Sequence, residues 1–251
     1  MNEFINKTEM DSLRKTLTVL CPSPESFVCL RRNFVSSYAT MCIAHWILGI
    51  GDRHLENILI TIGSGRCLGI DFGLAFGAGI DQKVPELIPF RVTPQILGLL
   101  KPFTEKDFLS GIMIHTLRAL RNEQGPILAC MDVFVHEPLD WTEHVNKTLK
   151  ESDDDITDVK WMPKKKINVV TKKLNGIKPS MITLEQLRDQ HDDKYLDRYY
   201  SIVTGDDDMK RIRATIENDH LSSEKQVECL LDQATDLNIL GRLFAGWKPW
   251  L

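Results

Sequence analysis

"GIGDRHLENILI", Gly49 to Ile60, is followed a short way on by "IDFG", Ile70 to Gly73. Asp52, Arg53, His54 and Asn57 are crowded between apolar neighbours, and Asp71-Phe72-Gly73 comes next. Upstream, Ser23 is a good N-cap and Pro24 suits a first helical position. Phe27, Leu30, Phe34, Tyr38, Met41, Cys42 and Trp46 then recur in steps of three and four, which predicts a helix with a wide buried face. Gly49 and Gly51 stop it. Downstream, "NILITI", a turn at Gly63-Ser64-Gly65, and "CLGIDFG" predict two short strands in a hairpin. The polar cluster thus falls on a loop between a buried helix and a hairpin, and loops on rigid supports are where chemistry is usually placed.

The chain has 251 residues, enough for one or two domains with a real core. Its 43% hydrophobic and 26% charged residues are ordinary for a globular protein. A net charge of -4 gives no global electrostatic grip on nucleic acid or an acidic membrane, so direct nucleic-acid contact and membrane association are not expected. The six cysteines, at 21, 29, 42, 67, 130 and 229, form no CxxC pair and read as buried free thiols. No signal peptide opens the chain, and the apolar run "MCIAHWILGIG" is too short for a bilayer. An intracellular protein is expected.

Residues 8 to 20 have the alternation of a short helix. Residues 74 to 95 carry two glycines, three prolines and little periodicity, and predict a long, partly mobile loop. Helical spacing returns from about 94 to 150. The acid run "ESDDDITD" and the basic run "WMPKKKINVVTKKLNGIKPS" predict a solvated helix or linker. A polyanion site built from Lys164, Lys165, Lys166, Lys172 and Lys173 is the sharper alternative. At 221 to 236 a serine cap precedes an apolar face of Val227, Leu230, Leu231 and Ala234. The tail "NILGRLFAGWKPWL" carries Trp247 and Trp250, which are expected to dock on the domain rather than hang loose.

Phosphoryl transfer from ATP needs a carboxylate to orient the attacking hydroxyl and accept its proton. It also needs an amide and a second carboxylate to hold a metal ion against the phosphates. Ordinary protein kinases place that base and that asparagine five residues apart and supply the second carboxylate from a DFG. Asp52 and Asn57 have the same spacing here, and Asp71 begins a DFG. The order is Asp52-Arg53-His54 rather than His-Arg-Asp, so the histidine follows the base and can stabilise charge on a phosphate oxygen. The bland alternative makes Asp52 and Asn57 a turn-forming pair, His54 a buried histidine and Asp71 a hairpin cap; it must explain four positions at once.

These motifs resemble the phosphatidylinositol-3-kinase-related protein kinases, whose catalytic loop carries DRHxxN. "IPFRVT" at 88 to 93 resembles the end of their activation loop, "MDVFVHEPLDW" at 131 to 141 the segment after their core helices, and "DQATDLNILGRLFAGWKPWL" their short C-terminal module. The likeness covers about 25 to 251 and is weakest from 151 to 220. It implies a mainly α fold with a small β-hairpin: the C-terminal lobe of a protein-kinase-like (PI3/PI4-kinase) fold plus a C-terminal FATC helix module. The implied divisions are a kinase lobe over 1–150, with its catalytic loop at 49–60 and activation loop at 71–94, a charged regulatory insert over 151–220, and the FATC module over 221–251.

The resemblance implies that Asp52 is the catalytic base and that His54 stabilises the transferring phosphate. Asn57 and Asp71 would bind Mg²⁺ or Mn²⁺, all four would face ATP, and Phe72, Gly73, Lys83 and Arg91 would belong to the activation loop. Arg53 would be structural. Leu74 stands where many relatives have histidine. The implied reaction is phosphorylation of serine or threonine before glutamine. The implied setting is nuclear repair of DNA double-strand breaks by non-homologous end joining, with the complete kinase recruited through a DNA-end-binding heterodimer. An inositol polyphosphate would sit near the lysine run.

Two other readings remain. Lipid kinases share this loop but need cationic activation loops; Lys83 and Arg91 against Asp71, Asp81 and Glu86 disfavour an anionic head group. A non-catalytic interaction module gains weight because neither a Gly-rich phosphate loop nor a β3 lysine stands upstream of Asp52. The smaller lobe is expected to be absent, and the chain alone is expected to show negligible kinase activity.

Overall fold

The computed structural model describes residues 9–135, 161–190, 193–205 and 220–248. The end of "MDVFVHEPLDW", the acid run and Trp250 lie outside the described residues.

One helix organises the rest. α1 (Ser12–Leu20) leads into α2 (Pro24–Leu48), a 25-residue helix capped by the Ser23 side chain, which accepts from Ser26 N. Pro24 takes the first helical position, as its fixed φ and missing N–H allow. Leu30, Phe34, Val35, Tyr38, Ala39, Cys42, Ile43, Trp46 and Ile47 are all buried along it. A helix so widely buried belongs in the middle of a bundle, not on its surface. It ends at Gly49, whose φ of 64° is the left-handed cap that glycine adopts without penalty.

β1 (Ile58–Ile60) and β2 (Cys67–Gly69) form one antiparallel pair in the register Ile58–Gly69, Leu59–Leu68, Ile60–Cys67. The strands are shorter than the apolar runs suggest, and the hairpin is pinned by side chains of α2. Asn33 Nδ2 donates to Ser64 O at 3.0 Å, and Ser37 Oγ accepts from Cys67 N at 2.8 Å.

α3 (Pro94–Leu100) and α4 (Glu105–Asn122) follow, each with a threonine N-cap, Thr93 and Thr104. Thr104 and Asp107 form a reciprocal capping box. Beyond come α5 (Gln124–Val135), α6 (Trp161–Leu174), α7 (Pro179–Gln190), α8 (Asp193–Thr204), α9 (Ser223–Thr235) and α10 (Leu237–Leu240). The main core joins α2 to Leu99, Leu109, Met113 and Leu117, to Val170 and Leu174 of α6, and to Val227, Leu230, Leu231 and Ala234 of α9. A second core gathers Ile80, Leu87 and Ile88 with Leu184, Leu187, Ile202, Val203, Ile239, Leu240 and Leu243, and Trp247 packs against it. The described part of the tail, to residue 248, is therefore docked.

Three expectations change. Residues 74 to 93 are irregular, but Ile80, Leu87, Ile88, Phe90 and Val92 are buried, so much of this stretch is core rather than loose surface. The basic run is a helix rather than a linker, but not a wholly solvated one: α6 carries Val170 and Leu174 into the main core. The cysteines are all free thiols, yet only Cys42 and Cys229 are buried, and Cys29 and Cys130 are exposed. Among the described residues no helix is long and apolar enough to cross a membrane.

Gln226, fully buried on α9, ties three elements. Its Nε2 donates to Lys173 O (3.1 Å) and Ile177 O (2.7 Å), and its Oε1 accepts from Arg121 Nη2 (2.7 Å). Gln226→Leu keeps the volume but strands these partners, so a stability loss of about 2–4 kcal/mol is expected. A urea unfolding midpoint lowered at unchanged slope checks it; a midpoint equal to wild type contradicts it.

Candidate functional site

The site is a chain of backbone turns held by buried side chains. Beyond the Gly49 cap, Gly51 N donates to Leu74 O (2.7 Å), while Phe76 N and Gly77 N donate back to Leu48 O (3.0 Å) and Gly49 O (2.8 Å). The segment after Asp71-Phe72-Gly73 therefore lies alongside the end of α2 and the start of the 49–60 loop.

Asp52 and Asp71 both adopt left-handed backbone, with φ of 57° and 56°. Non-glycine residues rarely do so, and such strain, about 1–3 kcal/mol per residue, persists where surroundings over-determine it. The surroundings are Arg53 and Asn57. Arg53 is 2% exposed; its Nε donates to Gly51 O (2.7 Å), its Nη1 to Ile70 O (2.9 Å) and its Nη2 to Asp71 O. Asn57, also buried, donates from Nδ2 to Asp52 O (2.8 Å), and its own carbonyl accepts from Ile70 N (3.0 Å). The loop and the strand end that carry Asp52, Asn57 and Asp71 are thus brought together through two side chains.

His54 Nε2 lies 3.9 Å from Asp52 Oδ2, both partly exposed. Asp71 Oδ1 accepts from Gly73 N (3.1 Å) in a tight side-chain turn. Phe72 is 54% exposed, its ring edge-on to His45 with centroids 5.8 Å apart and 5.8 Å from the Arg53 guanidinium carbon. Burial and the charge of Arg53 push His45 down to about 4, so this histidine is neutral at pH 7. Lys83 is exposed.

The remaining activation-loop residue is elsewhere. Arg91 is 1% exposed, and its Nη1 and Nη2 donate to Trp247 O (3.2 Å) and Lys248 O (3.4 Å). It clamps the tail and does not face a substrate. Glu86 also turns inward: its Oε2 accepts from Asp52 N (2.6 Å) and its Oε1 lies 3.4 Å from Arg53 N. Sequence reading counted Glu86 only as loop charge; a lone acid within the apolar stretch "PELIPF" was the available signal.

The lysine run is not an open anion bowl. Lys165 pairs with Asp189 (2.5 Å), Lys166 with Asp81 (3.6 Å) and Lys172 with Glu185. Lys173 is buried, donates to Trp46 O (2.5 Å) and lies 5.4 Å from the centre of the Trp46 ring. Lys164 is exposed. Carboxylates and a carbonyl thus engage four of these five ammonium groups.

Magnesium prefers hard oxygen donors and is commonly held by one or two carboxylates together with substrate phosphates. Asn57 and Asp71 fit that chemistry. The Asn57 amide spends its N–H on Asp52 O, which leaves its oxygen as an acceptor, and Asp71 is exposed, with Oδ1 accepting from Gly73 N. Among the described residues no three His, Cys, Asp or Glu side chains form a metal cage of their own.

The chain belongs to the phosphatidylinositol 3- and 4-kinase family: residues 1–143 match the family described as "Phosphatidylinositol 3- and 4-kinase", and residues 220–251 match the FATC domain. Among its relatives, the DNA-dependent protein kinase catalytic subunit of Xenopus laevis is 42% identical over 250 residues, which cover 96% of this chain and 6% of the relative. The same subunit of Gallus gallus is 43% identical over 249 residues, with 96% and 6% covered. Serine-protein kinase ATM of Sus scrofa is 30% identical over 224 residues, 88% of this chain and 7% of that protein. The chain thus spans about 6% of the length of the first of these relatives.

Burial, with repulsion from Lys166, pushes the Lys173 ammonium down to about 7. The sign follows from proton counting. Between that value and the unfolded value near 10.5 the unfolded chain holds one more proton than the folded one, so stability from this group rises with pH across that window. Thermal unfolding of Lys173→Met is therefore expected to climb less steeply than wild type from pH 7 to 10. Identical slopes contradict the assignment.

Proposed function

We propose that this chain supplies the catalytic base, the metal ligands and the activation segment of an ATP-dependent serine/threonine protein kinase. The observation that carries the reading is the joining of Asp52, Asn57 and Asp71 by Arg53 and the Asn57 amide at one partly exposed edge. In this reading Asp52 orients the substrate hydroxyl and accepts its proton as the oxygen attacks the γ-phosphorus. His54, beside the Asp52 carboxylate, donates to a phosphate oxygen as negative charge shifts toward the leaving group. Asn57 and Asp71 would hold Mg²⁺ or Mn²⁺, which when bound neutralises phosphate charge. Residues 49–60 act as the catalytic loop, 71–94 as the activation segment, and 221–251 as the module that backs it.

A peptide substrate suits the segment better than an inositol lipid. With Arg91 buried, Lys83 is the exposed cation between residues 72 and 93, too little charge to gather a phosphorylated head group. The relatives named for DNA-dependent and serine-protein kinase activity favour the same choice. From that likeness we extend the proposal to serine or threonine followed by glutamine, and to a nuclear role in end joining with recruitment through a DNA-end-binding heterodimer.

The exposed apolar side chains of Leu59, Ile62, Leu68, Ile70 and Phe72 flank the site. They suit the closing surface of a smaller, ATP-covering lobe, whose Gly-rich loop and strand lysine are not among these 251 residues. The 251-residue chain by itself is therefore expected to transfer phosphate negligibly. In the longest protein that carries it, Asp52→Asn and Asp71→Ala are each expected to lower kcat toward a Ser-Gln peptide by about 10²–10⁴-fold. Transfer to phosphoinositides with none to peptides, or full activity in Asp52→Asn, would refute the reading.

A further inference from the structure

We infer that Glu86 is a positioning residue: from the far end of the activation segment, its carboxylate holds the Asp52 backbone in the left-handed turn from which the base acts. The inference rests on the phosphotransferase reading above and adds a residue to it.

The contact is directional. Glu86 Oε2 accepts from Asp52 N at 2.6 Å, with Oε1 3.4 Å from the next amide, Arg53 N. One short bond and one longer contact thus set a single carboxyl group against two successive backbone amides. The amide gripped is that of the residue whose φ is 57°. Asn57 holds the same residue from its other side, through its carbonyl. Asp52 is thus gripped at its N–H by the activation segment and at its C=O by the catalytic loop.

The surroundings are shaped for this side chain. A Cβ on Gly51 would stand 2.7 Å from Glu86 Oε2, and one on Gly79 would stand 2.6 Å from it, so both glycines leave the space the carboxylate occupies. Glu86 N donates to Gly79 O (3.0 Å), which closes the turn that delivers it. The two residues that follow, Leu87 and Ile88, are 3% and 5% exposed and root the turn in the second core. The carboxylate also borders a cavity of about 60 Å³ shared with His45, Lys173, Gln186 and Gln233. Burial there pushes the Glu86 carboxyl up to about 7, against the pull of the Asp52 and Arg53 amides and the Arg53 charge.

The consequence is a mechanical link. Displacing residues 79 to 86 would withdraw the carboxylate and release Asp52 from a conformation that costs energy to hold. The state of the activation segment and the aim of the base are thereby one variable.

Residue-resolved hydrogen–deuterium exchange on the 251-residue chain tests the hold without needing activity. In Glu86→Ala the Asp52 and Arg53 amides are expected to exchange at least about tenfold faster, with α2 and α4 unchanged. Glu86→Gln, which keeps one acceptor oxygen, is expected to restore much of the protection. Unchanged rates in Glu86→Ala overturn the inference, and so does acceleration spread evenly through α2 and α4, which marks a merely structural residue. In the longest active protein carrying the chain, Glu86→Ala is expected to lower kcat about tenfold or more while KM for ATP stays within about twofold, because Asn57 and Asp71 are untouched. Unchanged kcat overturns the catalytic part. Should the wild type transfer phosphate to no acceptor, the kinase reading fails, while the exchange data still decide whether Glu86 holds Asp52.

Discussion

Three carbonyl oxygens, those of Gly51, Ile70 and Asp71, converge on the buried guanidinium of Arg53. Removing a charge from water costs several kcal/mol even after relaxation. Hydrogen bonds to charged groups contribute about 1.5–3 kcal/mol each, so three of them offset a penalty of that size. Only a planar fork with several fixed donors can reach carbonyls from two chain segments at once, which a lysine ammonium on a flexible stem does not do. The nearby carboxylates of Glu86, Asp52 and Asp71 favour the charged form against the burial that opposes it. This staple adds to the backbone bonds Ile70 N to Asn57 O and Gly51 N to Leu74 O that hold the 49–60 loop against the end of the hairpin.

The two left-handed aspartates follow from that constraint. Each is held by groups outside itself, Asp71 through its carbonyl by Arg53, Asp52 through its carbonyl by Asn57 and its amide by Glu86. α2 supplies the rigid reference. Its Gly49 cap sets the chain's exit direction, and its Asn33 and Ser37 fix the hairpin from below. Strain at the site is therefore distributed over a buried helix, two buried polar side chains and one partly buried carboxylate.

What the sequence disclosed, and what it hid, follows from where each signal lives. The hairpin and α2 were legible because turn glycines, Ser23-Pro24 and apolar steps of three and four are local features. Asp52, Asn57 and Asp71 stood out because metal-phosphate chemistry demands particular side chains at particular intervals, and the chain brings the segments bearing them together. The partners of Arg53 were not legible, since backbone carbonyls leave no trace in residue identity. Arg91 misled for a related reason. A basic residue in a loop counts as surface charge, yet here the carbonyls of Trp247 and Lys248, far away in the chain, complete it. The lysines of α6 misled through composition, because their acceptors lie on other elements: Asp81 in the activation segment, Glu185 and Asp189 on α7.

That last error points to how the activation segment is supported. Its middle is not held by the catalytic loop alone. Asp81 meets Lys166 of α6 at 3.6 Å, with the lysine 8% exposed, and Ile80, Leu87 and Ile88 share a core with α7, α8 and α10. Lys173, about two turns further along the same face of α6, donates to the carbonyl of Trp46 in α2. The helix from the stretch with the faintest family likeness thus bridges the scaffold helix to the segment that carries Glu86. Buried ion pairs of this kind add little net stability, because desolvation cancels much of the attraction, but a mispaired register leaves a charge uncompensated. Their contribution is to specify one seating of the activation segment out of several that the apolar contacts would tolerate. A site whose two carboxylates are strained needs that specificity more than it needs further stability.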